Sequence, residues 1–445
     1  MNSIPARLWL RCSALLPPGH LARAITTLAS GTAFAQALTV LAAPVLTRMY
    51  TPEDFGTLAV FTTLFGVTCA AVCLRYDASI PVANEDAVAA NLLAVVAGVA
   101  LLTTGVAAVV ITVFGGESMA RHVNSPALAP LLWLLPPGLL LVGLYNGLSF
   151  WAVRKRSFAR IARTRIAQSG AQIVIQIALG ALALAPIGLV LGQIAGQSAG
   201  ISTFARVLWR EDRNVLRMIT IRRMIRAAHR YRRFPLLACP AAVLNNISRL
   251  SPPMLIAMLY GPAIAGWFAL AHRVLTTPMR LLGQAVAQVY LGEAPALARD
   301  DPARLRWLFT RATTRLFWLG LGPTVLILLT GPWLAVVIFG PPWADSGRIM
   351  QALSLMTFAQ FVVSPISQTL IVFERMDIQI AWDGARVVGI TLIFLGAWLF
   401  QWSWLVTTIM LSAVIAAAYA ALYVIVRRLI TKRIAMAAEL FEGLK

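Results

Sequence analysis

Long apolar segments alternate with short polar ones along residues 24–426. An α-helix needs about 20 apolar residues to cross the hydrocarbon core of a bilayer. Only helices and closed barrels can span that core, because every backbone hydrogen bond must be satisfied internally. We therefore predict an all-α polytopic membrane protein with about twelve transmembrane helices. The predicted spans are residues 24–46, 55–75, 87–113, 127–150, 166–185, 187–208, 236–259, 262–290, 309–338, 349–373, 379–400 and 404–426.

The composition fits a membrane protein better than a soluble one. Hydrophobic residues make up 59% of the 445 positions and charged residues only 12%, with a mean hydropathy of +0.77. Soluble domains carry roughly 25% charged residues. The net charge of +21 would suggest nucleic-acid binding in a soluble protein. Because the basic residues lie mostly in loops between apolar segments, and no sizeable soluble domain is predicted, we expect no nucleic-acid partner.

Positive charge is concentrated in every second gap between the predicted spans. Four clusters, at 154–165, 209–235, 299–306 and 427–433, contain many of the basic residues, while the alternate gaps contain few. Short loops rich in lysine and arginine stay on the cytoplasmic side of a membrane. This distribution predicts a multi-pass protein of the bacterial inner membrane with both termini in the cytoplasm.

The basic segment 209–235 divides the predicted spans into two sets of six. We expect an N-terminal lobe at 24–208 and a C-terminal lobe at 236–426, joined by this cytoplasmic loop. The remaining residues are predicted to form a cytoplasmic N-terminal segment, 1–23, and a cytoplasmic tail, 427–445. Two such lobes usually enclose a central cavity that opens alternately to each side of the membrane.

A short motif occurs at the start of each predicted lobe. Residues 50–56 read YTPEDFG and residues 260–266 read YGPAIAG, so tyrosine, proline and glycine recur at a constant offset of 210 positions. Both copies fall in the predicted outer turn between the first two spans of their lobe. Turns between helices often contain proline and glycine by chance, but the shared position favours an internal duplication. Six spans per repeat would make the two repeats parallel.

Five arginines lie within or beside predicted spans, where a charge is costly and usually faces a cavity or a partner. They are Arg48, Arg75, Arg249, Arg273 and Arg280. A planar guanidinium suits phosphate oxygens, so these residues predict a cationic cavity that binds an anionic substrate. The alternative is that some of them extend to the membrane surface or pair with a nearby acid. That alternative stays open for Arg48, and Arg280 lies close to the predicted cytoplasmic side.

No carboxylate lies in the middle of a predicted span. A transporter driven by Na⁺ or H⁺ would usually need a buried carboxylate to bind the cation or the proton. The sequence therefore disfavours a cation-coupled drug exporter. Asp383 lies one helical turn before Arg386 at the predicted cytoplasmic end of a span, so we expect these two residues to form a local pair.

Uncharged polar residues form a further set of candidates for the cavity. Glutamines recur at every fourth position in the predicted fifth span, and glutamine and serine do so in the tenth. Such stripes can hydrogen-bond sugar hydroxyls in a wet cavity, or they can join neighbouring helices; both readings remain open. The candidates are Gln168, Gln172, Gln176, Gln360 and Gln368, with Asn245 and Asn246 of the seventh span.

No catalytic, metal-binding or cofactor motif is recognisable in the sequence. The four cysteines have no metal-ligand spacing, and no Ser/His/Asp grouping or paired outer carboxylate occurs. We expect no enzymatic activity, no bound metal and no cofactor.

Three segments resemble a known family. Residues 43–56, APVLTRMYTPEDFG, resemble the first outer turn of the Wzx-type oligosaccharide flippases. Residues 74–81, LRYDASIP, resemble the first inner loop of these flippases, and residues 150–158, FWAVRKRSF, resemble the basic segment after their fourth helix. The flippases belong to the multidrug/oligosaccharidyl-lipid/polysaccharide exporter superfamily, and the resemblance extends over the whole membrane domain.

This resemblance implies two six-helix lobes around a central cavity and a transport function. The implied activity is translocation of polyprenyl-pyrophosphate-linked oligosaccharide from the cytoplasmic to the periplasmic leaflet, by alternating access, for O-antigen, capsule or exopolysaccharide biosynthesis. Membrane lipids, a polysaccharide polymerase and chain-length regulator proteins are the implied partners. The alternatives are a peptidoglycan lipid-precursor flippase, a multidrug or cation antiporter of the same superfamily and, in a different class, a membrane polysaccharide polymerase or ligase.

Overall fold

The computed structural model describes residues 20–442, with side chains from Ser30 to Ile434 apart from positions 248, 299, 300, 302 and 376. Most of the predicted N-terminal segment 1–23 and the end of the predicted tail 427–445 therefore lie outside the described residues. All regular elements within residues 20–442 are helical, which confirms the predicted all-α fold class. The chain forms two compact units, Met1–Ala269 and Leu270–Lys445. The boundaries of the two six-helix lobes stay a prediction.

From residue 20 onward, the first unit contains twelve α-helices and the first turns of a thirteenth, together with short 3₁₀ and π segments. The α-helices are α1 (His20–Leu41), α2 (Ala43–Met49), α3 (Pro52–Ala71), α4 (Asp86–Phe114), α5 (Gly116–His122), α6 (Leu135–Arg154), α7 (Phe158–Ala181), α8 (Ile187–Ser198), α9 (Ile201–Glu211), α10 (Arg213–Leu216), α11 (Ile221–Arg230) and α12 (Cys239–Tyr260). The centre of this unit is apolar, and the rings of Phe61 and Phe65 on α3 are fully buried and stack 5.6 Å apart.

The second unit continues from the thirteenth helix, which crosses the unit boundary as one unbroken element. Its helices are α13 (Pro262–Asp300), α14 (Pro302–Phe339), α15 (Ala344–Val363), α16 (Thr369–Val372), α17 (Met376–Leu399) and α18 (Trp404–Glu442). Its core is built on buried side chains of α13, α14, α15 and α18, among them Phe309 and Leu422. Within this core the hydroxyls of Tyr290 and Thr369 are hydrogen-bonded over 2.7 Å.

Each predicted span overlaps a helix or a pair of consecutive helices. Over the described residues, seven helices are long and apolar enough to cross a membrane, or eight if the pair Pro341–Val363 and Ile366–Val372, bent by 45°, counts as one span. The chain is therefore a multi-pass membrane protein, but length and hydropathy do not confirm the predicted count of twelve. The predicted sixth span is broken at Gly200, whose φ of +101° favours glycine, so α8 has only 12 residues.

The two copies of the repeated motif start helices in the same way. Pro52 is the first residue of α3 and Pro262 is the first residue of α13. Proline fits this position because the first helical N–H has no partner within the helix. Thr51 caps α3: its hydroxyl accepts from the Asp54 N–H at 3.3 Å, and the Asp54 carboxylate accepts from the Thr51 N–H at 2.9 Å. Each copy of the motif thus marks the start of a helix.

The glycines of the two motifs contact the prolines reciprocally. A Cβ atom placed on Gly56 would overlap the Pro262 carbonyl oxygen and lie 2.9 Å from Pro262 Cα. A Cβ atom placed on Gly266 would overlap the Pro52 carbonyl oxygen and lie 2.9 Å from the Gly56 nitrogen. We call this contact the glycine–proline junction. It lies wholly within the first unit, and its reciprocity is what two repeats related by a two-fold axis would produce, which supports the predicted duplication.

A network of ion pairs joins the ends of α4, α6 and α9. Asp86 accepts hydrogen bonds from Arg154 Nε and Lys155 Nζ, both at 2.8 Å. Lys155 also pairs with Asp212 at 3.0 Å, and the Trp151 indole N–H donates to Asp212 at 2.9 Å. The pKa of Lys155 is raised above its usual value, mainly by the hydrogen bond to Asp86. The family-like segment 150–158 therefore has a structural role within the first unit.

We expect Asp212→Asn to lower the unfolding temperature of the detergent-solubilised protein more than the neighbouring Glu211→Gln. The Asp212 side chain is only 12% exposed, and the substitution removes an ion pair and weakens the Trp151 hydrogen bond, an effect of about 1–3 kcal/mol. Glu211 pairs with Arg160 at 2.8 Å in an exposed position, where such pairs contribute about 0–1 kcal/mol. Equal unfolding temperatures for the two variants would contradict this assignment.

Candidate functional site

Arg249 is held by polar contacts between α3 and α12. Its guanidinium Nη2 donates to Asn246 Oδ1 at 3.2 Å, and Asn246 Nδ2 donates to the Gly66 carbonyl of α3 at 3.1 Å. The Thr63 hydroxyl donates to the Leu250 carbonyl at 3.0 Å. Arg249 is exposed, and no described carboxylate lies within ion-pair distance of it. The Asn246 bond thus holds one guanidinium nitrogen of Arg249, while its other N–H donors stay available to a ligand.

Asn245, the residue before this polar chain, is exposed on α12. Only Asn246 of the two adjacent asparagines contacts α3, through its bond to Gly66. The structure therefore assigns the two candidates different surroundings: Asn246 joins helices, and Asn245 remains accessible.

Arg273 and Arg280 lie on α13, in the part that belongs to the second unit. They are seven positions apart and therefore project from the same face of the helix. Arg273 is half-buried, and it forms neither a hydrogen bond nor an ion pair with any residue whose side chain the structure describes. Arg280 is exposed and interacts electrostatically with His272. Arg273, in the predicted span 262–290, is thus a cation that the described residues do not neutralise.

Arg48 satisfies a carbonyl of its own helix. Its Nη1 donates to the Pro44 carbonyl of α2 at 2.7 Å, and the side chain is exposed. Basic side chains near a helix C-terminus commonly cap carbonyls in this way. The contact accounts for one interaction of Arg48 without requiring a substrate.

Arg75 belongs to a tightly folded loop. Its backbone φ is +61°, in the left-handed region, and its buried Nε has no hydrogen-bond partner among the described residues. Asp77, two positions after Arg75, is 4% exposed; burial raises the pKa of its carboxyl, and the positive charge of Arg75 opposes that rise. The Tyr76 hydroxyl donates to the Ala228 carbonyl of α11 at 3.1 Å. The loop therefore connects α3 to the basic segment.

The glutamine stripe of α7 is directed at α8. Gln168 Nε2 donates to the Gln197 carbonyl at 3.0 Å, Gln172 Nε2 to Gln193 Oε1 at 3.1 Å, and Gln176 Nε2 to the Leu189 carbonyl at 3.1 Å. Glycines of α8 permit this approach, since a Cβ on Gly196 would lie 2.7 Å from Gln172 Cβ. Of the two readings left open by the sequence, these bonds favour helix joining. A role of the stripe in sugar binding stays a prediction.

The polar residues of the second unit form a different pattern. Gln360 is half-buried on α15 and, like Arg386, interacts with Tyr419 of α18. The expected local pair is confirmed: Arg386 Nη2 lies 3.1 Å from Asp383 Oδ1. Gln368 is half-buried at the end of the 3₁₀ segment Ile366–Gln368. Gln360 and the Asp383–Arg386 pair thus have Tyr419 as a common neighbour.

Comparison with known proteins decides the family. Residues 45–348 match the family described as "Polysaccharide biosynthesis protein". The chain belongs to this family. A search of the curated proteins finds no significant match. The resemblance observed in the sequence is thereby confirmed, and the family match includes both copies of the repeated motif and all five candidate arginines. Gln360 and Gln368 lie beyond it.

Solved structures show that the chain has the same fold as several membrane transporters. It is similar to a multidrug resistance MATE family transporter of the MOP superfamily in its inward-facing conformation, with 15% identity, a TM-score of 0.68 and coverage of 89% of this chain and 95% of the other. It is also similar to the lipid II flippase MurJ, with 14% identity, a TM-score of 0.64 and coverage of 90% and 87%. A MOP superfamily transporter from Pyrococcus furiosus matches with 16% identity, a TM-score of 0.55 and coverage of 92% and 96%.

Proposed function

We propose that this protein is a flippase that moves polyprenyl-pyrophosphate-linked oligosaccharide from the cytoplasmic to the periplasmic leaflet of the bacterial inner membrane. The observation that carries the proposal is a polysaccharide biosynthesis family match on a chain with the fold of MOP superfamily transporters. The transported unit would supply O-antigen, capsule or exopolysaccharide biosynthesis. The polysaccharide polymerase and chain-length regulator proteins would act on the exported unit.

The cationic residues supply the chemistry that such a substrate requires. A pyrophosphate carries several acceptor oxygens, and planar guanidinium groups can bind them through paired hydrogen bonds. Arg273 and Arg249 are the principal candidates, because neither is ion-paired with a described residue. Arg48 donates to a carbonyl of its own helix, Arg75 lies beside the buried Asp77, and Arg280 interacts electrostatically with His272, so these three rank below them. The oligosaccharide would meet uncharged polar side chains while the prenyl tail stays in the bilayer.

Alternating access provides the mechanism. The head group enters from the cytoplasmic side, the arginines bind its phosphates, and the two lobes then open towards the periplasm. Both termini lie in the cytoplasm in this scheme, as the distribution of basic residues predicts. No covalent step is required, so we propose a transporter rather than an enzyme.

Two transport alternatives follow from the structural relatives, since one is a multidrug transporter and another is a lipid II flippase. The lack of a mid-span carboxylate disfavours cation-coupled drug export. A polymerase or ligase would need reactive residues in a large outer loop, and the predicted outer loops are short.

The test is to delete the gene, extract the lipid-linked oligosaccharides, assign their leaflet and measure the surface polysaccharide. We expect completed units to accumulate on the cytoplasmic leaflet while the surface glycan is lost. Normal delivery of completed units to the periplasmic leaflet, in a strain without a second flippase, would reject the proposal. Trapped lipid II or altered drug resistance with normal surface glycan would favour one of the transport alternatives.

We expect the double variant Gln172→Leu/Gln193→Leu to retain glycan export. These two side chains bond to each other, and replacing both by apolar residues removes a helix-joining contact of about 0.6 kcal/mol, the average for such contacts in membranes. The measurement is surface polysaccharide per amount of protein in the membrane. Loss of export at normal abundance would instead assign this pair to the sugar-binding surface.

A further inference from the structure

A cleft lies between the start of α14 and the second half of α18, within the second unit. Its volume is about 300 Å³. A water molecule occupies about 30 Å³ in the liquid, so the cleft has room for a phosphate group with a small alcohol attached. Its lining residues are Arg306, Phe309, Thr310, Tyr423, Arg427 and Ile430.

The base of the cleft is largely apolar. The rings of Phe309 and Tyr423 stack with centroids 5.5 Å apart and planes inclined by 20°. Phe309 and Ile430 are buried, and both belong to the apolar core of the unit. The Thr310 hydroxyl donates to the Arg306 carbonyl at 2.9 Å. Both helices thus contribute buried apolar side chains to the base of the cleft.

The two arginines of the cleft carry uncompensated charge. Arg306 and Arg427 are exposed, and neither guanidinium is hydrogen-bonded or ion-paired to a residue whose side chain is described. The acid closest in sequence, Asp301, is engaged with the start of α14, where its Oδ1 accepts from the Arg304 N–H at 2.9 Å. Two guanidinium groups on the two sides of one small cleft are suited to a single phosphate group.

The neighbouring residues indicate the depth of the cleft. Trp307, next to Arg306 in α14, is 54% exposed, and Arg311 lies over its ring with the guanidinium carbon 4.6 Å from the centroid. Tryptophans are enriched where the hydrocarbon core meets the head groups. The cleft also lies at the predicted cytoplasmic ends of the spans 309–338 and 404–426. In the predicted topology, phosphates of the inner leaflet would lie at this level.

We propose that this cleft binds the phosphate group of an anionic glycerophospholipid from the inner leaflet. The head group would lie between Arg306 and Arg427 against the Tyr423 ring, with its acyl chains in the surrounding bilayer. Anionic head groups attract basic side chains at the membrane surface, and the small volume suits a glycerophosphate better than an oligosaccharide. The site is independent of the transport function proposed above.

The test is retention of lipid by the purified full-length protein. The protein would be mixed in detergent with phosphatidylglycerol or phosphatidylcholine, and bound lipid would be counted by native mass spectrometry. The wild type should retain phosphatidylglycerol in preference to phosphatidylcholine. Arg306→Gln/Arg427→Gln should weaken the retention of phosphatidylglycerol on the order of ten-fold.

The matched control is Arg311→Gln/Arg428→Gln, which removes the same charge from the same two helices outside the cleft. It should retain phosphatidylglycerol as the wild type does. If the first double variant does not fold, Arg427→Gln alone should still show a partial loss. Equal loss in the control, equal retention of the two lipids, or displacement of phosphatidylglycerol by an equimolar prenyl pyrophosphate would overturn the proposal, the last by assigning the cleft to the carrier lipid.

Discussion

Gly56→Ala and Gly266→Ala should each sharply reduce the amount of folded protein or its export activity. The added Cβ would meet a backbone carbonyl oxygen of the opposite motif, which cannot rotate away as a flexible side chain could. The glycine–proline junction must then widen, and forced overpacking of this kind costs about 1–3 kcal/mol or more. The measurements are the unfolding temperature in detergent and the surface polysaccharide.

A double variant and a control make this prediction specific. Gly56→Ala/Gly266→Ala should lower the unfolding temperature by less than the sum of the two single changes, because both substitutions widen the glycine–proline junction. Gly98→Ala in α4 should be neutral, since a Cβ there has no atom within 4 Å. Wild-type unfolding and export by Gly56→Ala would show that the two motifs do not pack as described.

Arg273→Ala should abolish glycan export without lowering the amount of protein in the membrane. Arg273 is half-buried in α13, and the described residues offer it no ion pair, so the folded protein bears a desolvation cost that a substrate phosphate would offset. Removing the charge should leave the unfolding temperature unchanged or raise it. A substitution that lowers activity but not stability is typical of functional residues. Surface polysaccharide and membrane abundance are the two readouts.

Companion variants distinguish charge from shape at this position. Arg273→Lys should keep part of the activity, because an ammonium group retains the charge but not the paired hydrogen bonds of a guanidinium. Arg249→Ala should impair export too, with a small loss of stability from the broken Asn246 contact. Arg121→Gln, which removes an exposed arginine of α5, should have no effect. Full export by Arg249→Ala/Arg273→Ala at normal abundance would remove both residues from the site.

The sequence by itself determined the features that depend on local pattern. The apolar segments predict where helices form, since a helix across a membrane satisfies its own backbone and requires only length and hydropathy. The sequence also revealed the repeated motif, because its proline and glycine recur at a fixed offset. It predicted the pair of Asp383 and Arg386 as well, because these residues are one helical turn apart. The family resemblance followed from contiguous segments.

Only the tertiary structure decided which distant residues meet. Asp86 and Arg154 are 68 positions apart, and nothing in local spacing predicts their ion pair. The sequence left two roles open for the α7 glutamines, sugar binding and helix joining. Their hydrogen bonds to α8 favour helix joining. The reciprocity of the glycine–proline junction likewise depends on how α3 and α13 pack. Hydrophobic periodicity specifies which segments enter the membrane, whereas hydrogen bonds and close packing between helices specify their neighbours.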